Sequence, residues 1–98
     1  MITSKQRAHL RSIAQSYSPV FYIGKQGISD EIINQLDHAI TARELIKIGV
    51  QEACEYTARE AADAIAPRLN AETVAVIGRK FVLFRRNPDP KKQVVSLE

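Results

Sequence analysis

Helical and strand-like hydrophobic patterns alternate along this chain, and each helical pattern opens with a capping signal. A Thr-x-x-Gln capping box at Thr3 precedes apolar residues at helical spacing and predicts a first helix over residues 4–15. Ser29, a preferred N-cap residue, predicts a second helix that ends near Ala42. A Thr-x-x-Glu box at Thr57 predicts a third helix with an alanine-rich inner face. Three amphipathic helices therefore need an apolar surface to cover.

Four short runs rich in β-branched and aromatic residues supply that surface. The predicted strands are Val20–Ile23, Glu44–Val50, Thr73–Ile77 and Lys80–Arg86. A two-residue Gly78-Arg79 loop joins the last two, which is typical of a type II′ hairpin. The order α-β-α-β-α-β-β predicts a single compact α/β domain, in which helices pack on a four-stranded mixed sheet.

Residues 87–98 read NPDPKKQVVSLE and differ from the rest of the chain. Two prolines and few core residues predict a largely irregular C-terminal tail. The predicted domain therefore covers residues 1–86. A chain of 98 residues is long enough for one domain with its own core.

The net charge of +3 conceals an uneven distribution along the sequence. Residues 1–27 carry four basic residues and no acid, and residues 79–98 carry six basic residues and two acids. Residues 28–78 between them carry four basic residues and nine acids. If folding brings the two basic ends together, the protein has one positive face, which attracts a phosphate backbone. The alternative is that these cations only solvate the surface.

Several classes of site are not expected from the sequence. His9 and His38 lie in different predicted helices without ligands at metal-binding spacing, and Cys54 is the single cysteine. No nucleophile elbow, Walker loop or dinucleotide fingerprint is present. We therefore expect a non-catalytic protein without a metal or cofactor. We also expect a cytoplasmic protein without a membrane span, because no apolar segment is long enough for a span or a signal peptide.

The segment Gly24-Lys25-Gln26-Gly27 joins the first predicted strand to the second helix. Glycines at both ends let a backbone turn sharply and approach a ligand closely, and Lys25 adds a full positive charge. Such a loop can clamp a phosphate backbone. Asp30 and Glu31 in the first helical turn would repel a phosphate, so contact is expected through Lys25 and the loop backbone. A plain strand-to-helix turn explains the two glycines equally well.

Four segments in order resemble the signature segments of the CRM domain: KQRAHLRSIA, PVFYIGKQGIS, ELIKIGV and VIGRKFVLFRR. CRM domains are the RNA-binding domains of YhbY-type bacterial proteins and of plant organelle intron-splicing factors. The resemblance spans about residues 3–86 and implies a fold similar to the C-terminal domain of translation initiation factor three. It also implies that the GxxG loop contacts the nucleic-acid backbone, as in KH domains. Stand-alone bacterial members are associated with precursors of the large ribosomal subunit.

The chain is accordingly expected to be a monomer that binds RNA, and ribosomal RNA in particular, during large-subunit assembly. The expected RNA-binding residues are Gly24, Lys25, Gln26, Gly27, Lys5, Arg7, Arg11, Arg79, Lys80, Arg85 and Arg86. Tyr22 or Phe84 can stack a base if either is exposed, although an aromatic residue in such a strand is usually in the core. The alternative function is a protein-interaction module that docks on an acidic partner, with a purely structural glycine loop.

Overall fold

The computed structural model describes all 98 residues and contains three α-helices and four β-strands in the predicted order. The elements are α1 Ser4–Ala14, β1 Phe21–Ile23, α2 Asp30–Arg43, β2 Leu45–Val50, α3 Ala58–Leu69, β3 Glu72–Ile77 and β4 Lys80–Phe84. A 3₁₀-helix, Pro90–Lys92, follows. Both predicted capping boxes are present, and the Ser29 hydroxyl accepts a hydrogen bond from Ile32 N. None of the helices has the length and apolar character needed to cross a membrane.

The four strands form one mixed sheet in the order β1-β2-β4-β3. β1 runs parallel to β2, and the other two pairings are antiparallel. Ile23 at the end of β1 pairs with Val50 at the end of β2, and Lys80 at the start of β4 pairs with Gly49. These residues and the Gly78-Arg79 loop define one end of the sheet, here called the turn end. Leu45 and Phe84 pair at the opposite end, here called the tail end.

The Gly78-Arg79 loop closes the β3–β4 hairpin. Gly78 has a φ of 58°, and Arg79 is not among the residues with positive φ. A positive φ at only the first central position is the requirement of a type II′ turn. The hairpin prediction is therefore confirmed, and the loop directs Arg79 outward at the turn end.

Helices α2 and α3 cover one face of the sheet. Their apolar side chains form a 15-residue core cluster with strand residues that include Ile46, Ile48, Phe81 and Leu83. Ile48 and Phe81 are completely buried, and each such side chain stabilises the fold by about 1.5–3 kcal/mol through loss of apolar surface to water. The alanine-rich face of α3 lies inside this cluster, as the sequence predicts.

Helix α1 covers only part of the other face. Leu10 and Ala14 pack on Leu45, Val82 and Phe84, all of which belong to a second, seven-residue core cluster. This cluster lies toward the tail end. The turn-end half of the same face is not covered by a helix, as the exposure of Tyr22 and Ile77 there, 50% and 58%, shows. The sheet therefore presents one uncovered half-face beside the turn end.

The C-terminal tail is packed against the domain, in contrast to the expected extension with few core contacts. Val95 belongs to the second core cluster, and Asn87 is also buried. The anchor is the fully buried carboxylate of Glu44, which accepts hydrogen bonds from the backbone N–H groups of Asn87, Val94 and Val95 at 2.6, 2.7 and 3.0 Å. The tail has irregular backbone apart from its 3₁₀-helix, but it forms part of the folded structure.

Glu44 was expected to begin the second strand, and this prediction is wrong by one residue. Glu44 is instead the C-cap of α2, with a φ of 65°, and the strand begins at Leu45. Burial opposes ionisation of its carboxyl group, but the three backbone N–H donors and Arg86 outweigh burial and lower the pKa of Glu44 from its usual value. The carboxylate is therefore ionised while it holds the tail.

Candidate nucleic-acid interface

The Gly24–Gly27 segment forms a closed turn at the turn end of the sheet. Gly27 N–H donates to Gly24 O at 3.0 Å, and Gly27 has a φ of 73° in the left-handed region that favours glycine. The side chains of Lys25 and Gln26 are exposed at the tip. The backbone N–H groups of these two residues have no acceptor within the chain. The turn therefore presents two amide donors and one ammonium group to solvent.

The loop that follows β2 supports this turn from behind. Gln51 N–H donates to Ile23 O at 2.9 Å, and the Gln51 amide oxygen lies 2.7 Å from the position that a Cβ on Gly24 would take. The ring of Tyr56 lies 3.5 Å from the corresponding position on Gly27. Both glycines thus allow side chains to pack against the inner side of the turn. This packing fixes which side of the turn faces outward.

The N-terminus of α2 is poorly suited to an anion. Ser29 Oγ already accepts from Ile32 N at 3.2 Å, and Asp30 and Glu31 place two carboxylates in the first turn. Asp30 also forms an ion pair with Arg68 at 2.6 Å. A phosphate at the Gly24–Gly27 turn is therefore better placed against Lys25 and the free amides than on the helix axis.

Arg79 and Lys80 lie at the same end of the sheet as this turn. Arg79 O accepts from Val50 N at 2.7 Å, and Val50 is paired with Ile23 beside the turn. The hairpin and the turn are thus two strand spacings apart, which is about 10 Å. Arg79 reaches Glu52 at 3.9 Å, but both side chains are largely exposed, so this ion pair holds Arg79 weakly.

The basic residues of α1 divide between its two flanks. His9 contacts Ser96 O, and Lys5 and His9 line a groove with Leu97 and Glu98, so this flank faces the tail. At 3.6 residues per turn, Arg7 and Arg11 lie on roughly the opposite flank. The Arg7 guanidinium donates to Thr73 O, and Thr73 pairs with Leu83 in the tail-end half of β3. Arg11 is exposed on the same flank of α1, so Arg7 and Arg11 lie on the side of α1 away from the tail and Lys5 lies on the side facing it.

Arg85 and Arg86 are at the tail end and take part in internal contacts. Arg85 donates to Asp37 Oδ1 at 2.7 Å, Leu69 O at 2.8 Å and Thr41 Oγ1 at 2.6 Å. Arg86 donates to Glu44 Oε1 at 3.2 Å.

The expectation that all the predicted cations form one surface is therefore wrong. A five-residue strand separates Lys80 from Arg85 by about 17 Å. Because a strand has its first and last residues at opposite ends of a sheet, the hairpin pattern already contained this information.

The open half-face also contains Tyr22, which the sequence suggested as a base-stacking residue only if exposed, and Lys47, which was not predicted. Tyr22 is half exposed there, whereas Phe84 is buried beneath α1. Lys47 lies on the same face, one strand away from the Val82 side chain. The sequence signal for both was strand alternation, since Lys47 alternates with the buried Ile46 and Ile48. Such alternation indicates the face but not whether a helix covers it.

The structure brings together no group of three or more histidine, cysteine, aspartate or glutamate side chains that could hold a metal ion. His9 contacts the tail, and Cys54 Sγ accepts a hydrogen bond from Tyr56 N at 3.4 Å. The turn end presents cations, amide donors and one aromatic ring, together with the exposed carboxylate of Glu52. Cations, amide donors and an aromatic ring are chemically complementary to an anionic polymer that carries aromatic bases.

Comparison with known proteins gives a consistent result. The CRS1/YhbY (CRM) domain family matches residues 2–85. The Bacillus subtilis protein named Probable RNA-binding protein YqeI is 37% identical over 92 residues, which cover 94% of this chain and 96% of YqeI. Probable RNA-binding protein MJ0652 of Methanocaldococcus jannaschii is 36% identical, and the match covers 97% of this chain and 72% of that protein. The solution structure of Staphylococcus aureus SAV1595 has a TM-score of 0.79 at 35% identity, covering 98% of this chain and 100% of SAV1595.

Proposed function

The chain belongs to the CRS1/YhbY (CRM) domain family, and on that premise we propose that it binds RNA through the turn end of its sheet without catalysing a reaction. One observation carries this proposal: the Gly24–Gly27 turn is supported from behind and presents Lys25 with two unpaired backbone amides to solvent. Arg79 and Lys80 lie about 10 Å away at the same end of the sheet.

The contacts of this site are those of phosphate recognition. Lys25 supplies a point charge, and the amides of Lys25 and Gln26 donate hydrogen bonds to phosphate oxygens, an interaction that is strengthened by the anionic acceptor. Arg79 and Lys80 hold a neighbouring stretch of the same backbone. Phosphate contacts fix position and orientation but read no sequence. The shape of the RNA therefore determines which element is preferred.

We further propose ribosomal RNA in precursors of the large ribosomal subunit as the RNA, and a cytoplasmic monomer as the active species. The support is the resemblance to stand-alone bacterial YhbY-type proteins. Crosslinking in cells, followed by sequencing of the recovered RNA, tests this assignment. Enrichment of large-subunit precursor RNA is expected. Recovery of messenger or transfer RNA in its place would refute the ribosomal assignment and leave RNA binding intact.

A salt titration of RNA affinity tests the clamp itself. Lys25→Ala removes one phosphate contact, so the slope of log K against log salt should fall in magnitude by about 0.7 to 0.9. Loss of this one phosphate contact weakens RNA binding about five- to eightfold at 0.1 M salt. Lys91→Ala is the matched control, because Lys91 is an exposed lysine of the tail. Equal slopes for wild type and Lys25→Ala would refute the clamp. Complete absence of RNA binding by the wild type would favour an acidic protein partner.

A further inference from the structure

One row of residues crosses the whole sheet just beyond α1. Tyr22 pairs with Gly49, Gly49 pairs with Lys80, and Lys80 pairs with Ile77, so one residue from each strand faces the same side. This is the open half-face. Tyr22 and Ile77 are 50% and 58% exposed, and Lys80 is also exposed. An aromatic ring and a lysine are thus presented side by side without a covering element.

The Tyr22 ring lies directly over Gly49. A Cβ on Gly49 would lie 2.5 Å from both Cδ1 and Cε1 of Tyr22, which is impossibly close. The absence of a side chain at Gly49 therefore lets the ring rest on the β2 backbone and become buried on one side. The other side of the ring faces solvent. A ring that is fixed in this way loses little conformational entropy when it binds a second ring.

Two cations lie beside this ring. Tyr22 lines an open cleft of about 400 Å³ together with Arg79 and Lys80. Gln51 and Glu52 also line the cleft and supply hydrogen-bond acceptors. Glu52 is the acidic group here, and its side chain is 88% exposed and 3.9 Å from Arg79. Lys47 lies in the next row toward α1. The combination of an aromatic surface, cations and a few acceptors matches the chemistry of a nucleotide.

We propose that Tyr22 stacks an unpaired base of the RNA strand whose backbone the Gly24–Gly27 turn holds, an inference that rests on the proposed function. Tyr22 precedes Gly24 by two residues, which is about 7 Å along a strand. Adjacent nucleotides of one strand therefore reach both. In an A-form duplex the bases are stacked on each other and cannot meet Tyr22, so the site selects RNA with an unpaired nucleotide beside a held backbone.

The test compares two RNA probes of equal length. One is a hairpin with 2-aminopurine in its loop, and the other is a fully paired duplex. Tyr22→Leu removes the aromatic ring and keeps an apolar side chain, and Tyr22→Phe keeps the ring. Tyr22→Leu should weaken hairpin binding about 5- to 150-fold and abolish quenching of 2-aminopurine, while duplex affinity is unchanged. Tyr22→Phe should behave as the wild type. Lys25→Ala should weaken both probes.

A second measurement avoids any effect of substitution on folding. Wild-type protein is irradiated with a hairpin that carries 4-thiouridine in the loop, and the crosslinked peptide is identified. Recovery of Tyr22 is expected.

Crosslinks only outside β1, or Tyr22→Leu binding with wild-type affinity and quenching, would overturn the stacking role. An equal loss for hairpin and duplex would also overturn it, because Tyr22 would then only support the turn. In these cases a weakened Lys25→Ala variant still sustains the proposed function. Failure of the wild type to bind either probe would end both proposals.

Discussion

Lys80 begins β4 and Arg85 follows its last residue, so the two lie at opposite ends of the sheet. Substitution of Arg85 should lower stability, whereas substitution of Lys80 should lower RNA affinity. Arg85 makes three hydrogen bonds of 2.6 to 2.8 Å to Asp37, Leu69 and Thr41, and its side chain is only 23% exposed. Each such bond contributes about 0.5–1.5 kcal/mol, and the half-exposed Asp37 reduces the ionic share. Arg85→Ala should therefore lower the free energy of unfolding by about 2 kcal/mol.

For a domain of this size, that loss lowers Tm by about 8–16 °C. Lys80 is exposed and forms no ion pair, so Lys80→Ala should change stability by less than about 0.5 kcal/mol. RNA affinity should follow the reverse order. Lys80→Ala should weaken binding about five- to eightfold at 0.1 M salt, and Arg85→Ala should bind as wild type at a temperature well below its Tm.

Circular dichroism melts and fluorescence anisotropy on the same samples give both quantities. The separation of the two ends would be refuted if Arg85→Ala kept its Tm and lost RNA affinity. The same conclusion would follow if Lys80→Ala were destabilised without any loss of binding. Arg86 is a poorer choice for this test, because its removal also leaves the buried Glu44 carboxylate without its cation.

Two further predictions concern the tail and the turn. The pKa of Glu44 is lowered in the folded state, so its contribution to the free energy of unfolding is complete above about pH 4.5 and is lost as the pH falls further. Urea unfolding of the wild type at a series of pH values should show this loss. Glu44→Gln should cost about 1–3 kcal/mol at pH 7, because an amide with one oxygen cannot accept from all three N–H groups, and it should show a smaller decline in acid. An identical decline in both proteins would contradict the role of Glu44. Gly27→Ala should cost about 1–2 kcal/mol in the same assay because φ is 73°, whereas Gly24→Ala should cost less, since only the flexible Gln51 side chain must move. Equal losses of unfolding free energy for Gly24→Ala and Gly27→Ala would show that the positive φ of Gly27 is not the reason a glycine is needed there.

Local signals in the sequence predicted the elements well. Thr3, Ser29 and Thr57 mark the three helix starts, since capping depends on a few neighbouring residues. The Gly78-Arg79 hairpin was predictable because its turn type also depends on adjacent residues only. The observed strand ends differ by one or two residues, and β4 ends at Phe84 opposite Leu45, because the preceding residue of the partner strand, Glu44, is the C-cap of α2.

The arrangement of the site depended on non-local pairing. The order β1-β2-β4-β3 places Lys25 near Lys80, and nothing in the local sequence specifies which strand lies beside β1. The tail is another example. Val95 packs in the core because the Glu44 carboxylate, about fifty positions earlier, accepts the backbone N–H groups of residues 94 and 95. Which of Tyr22 and Phe84 is exposed was likewise not predictable locally, because it depends on which half of their face α1 covers.

The most direct measurement is a titration of ¹⁵N-labelled protein with structured RNA, followed by backbone amide chemical shifts. We expect the largest changes at the turn end, with Lys25, Gln26, Gln51 and Lys80 foremost. Amides of the tail end, such as those of Arg86 and Val95, should move little. Changes concentrated at the tail end, with the Gly24–Gly27 turn unaffected, would contradict the claim that RNA binds at the turn end of the sheet.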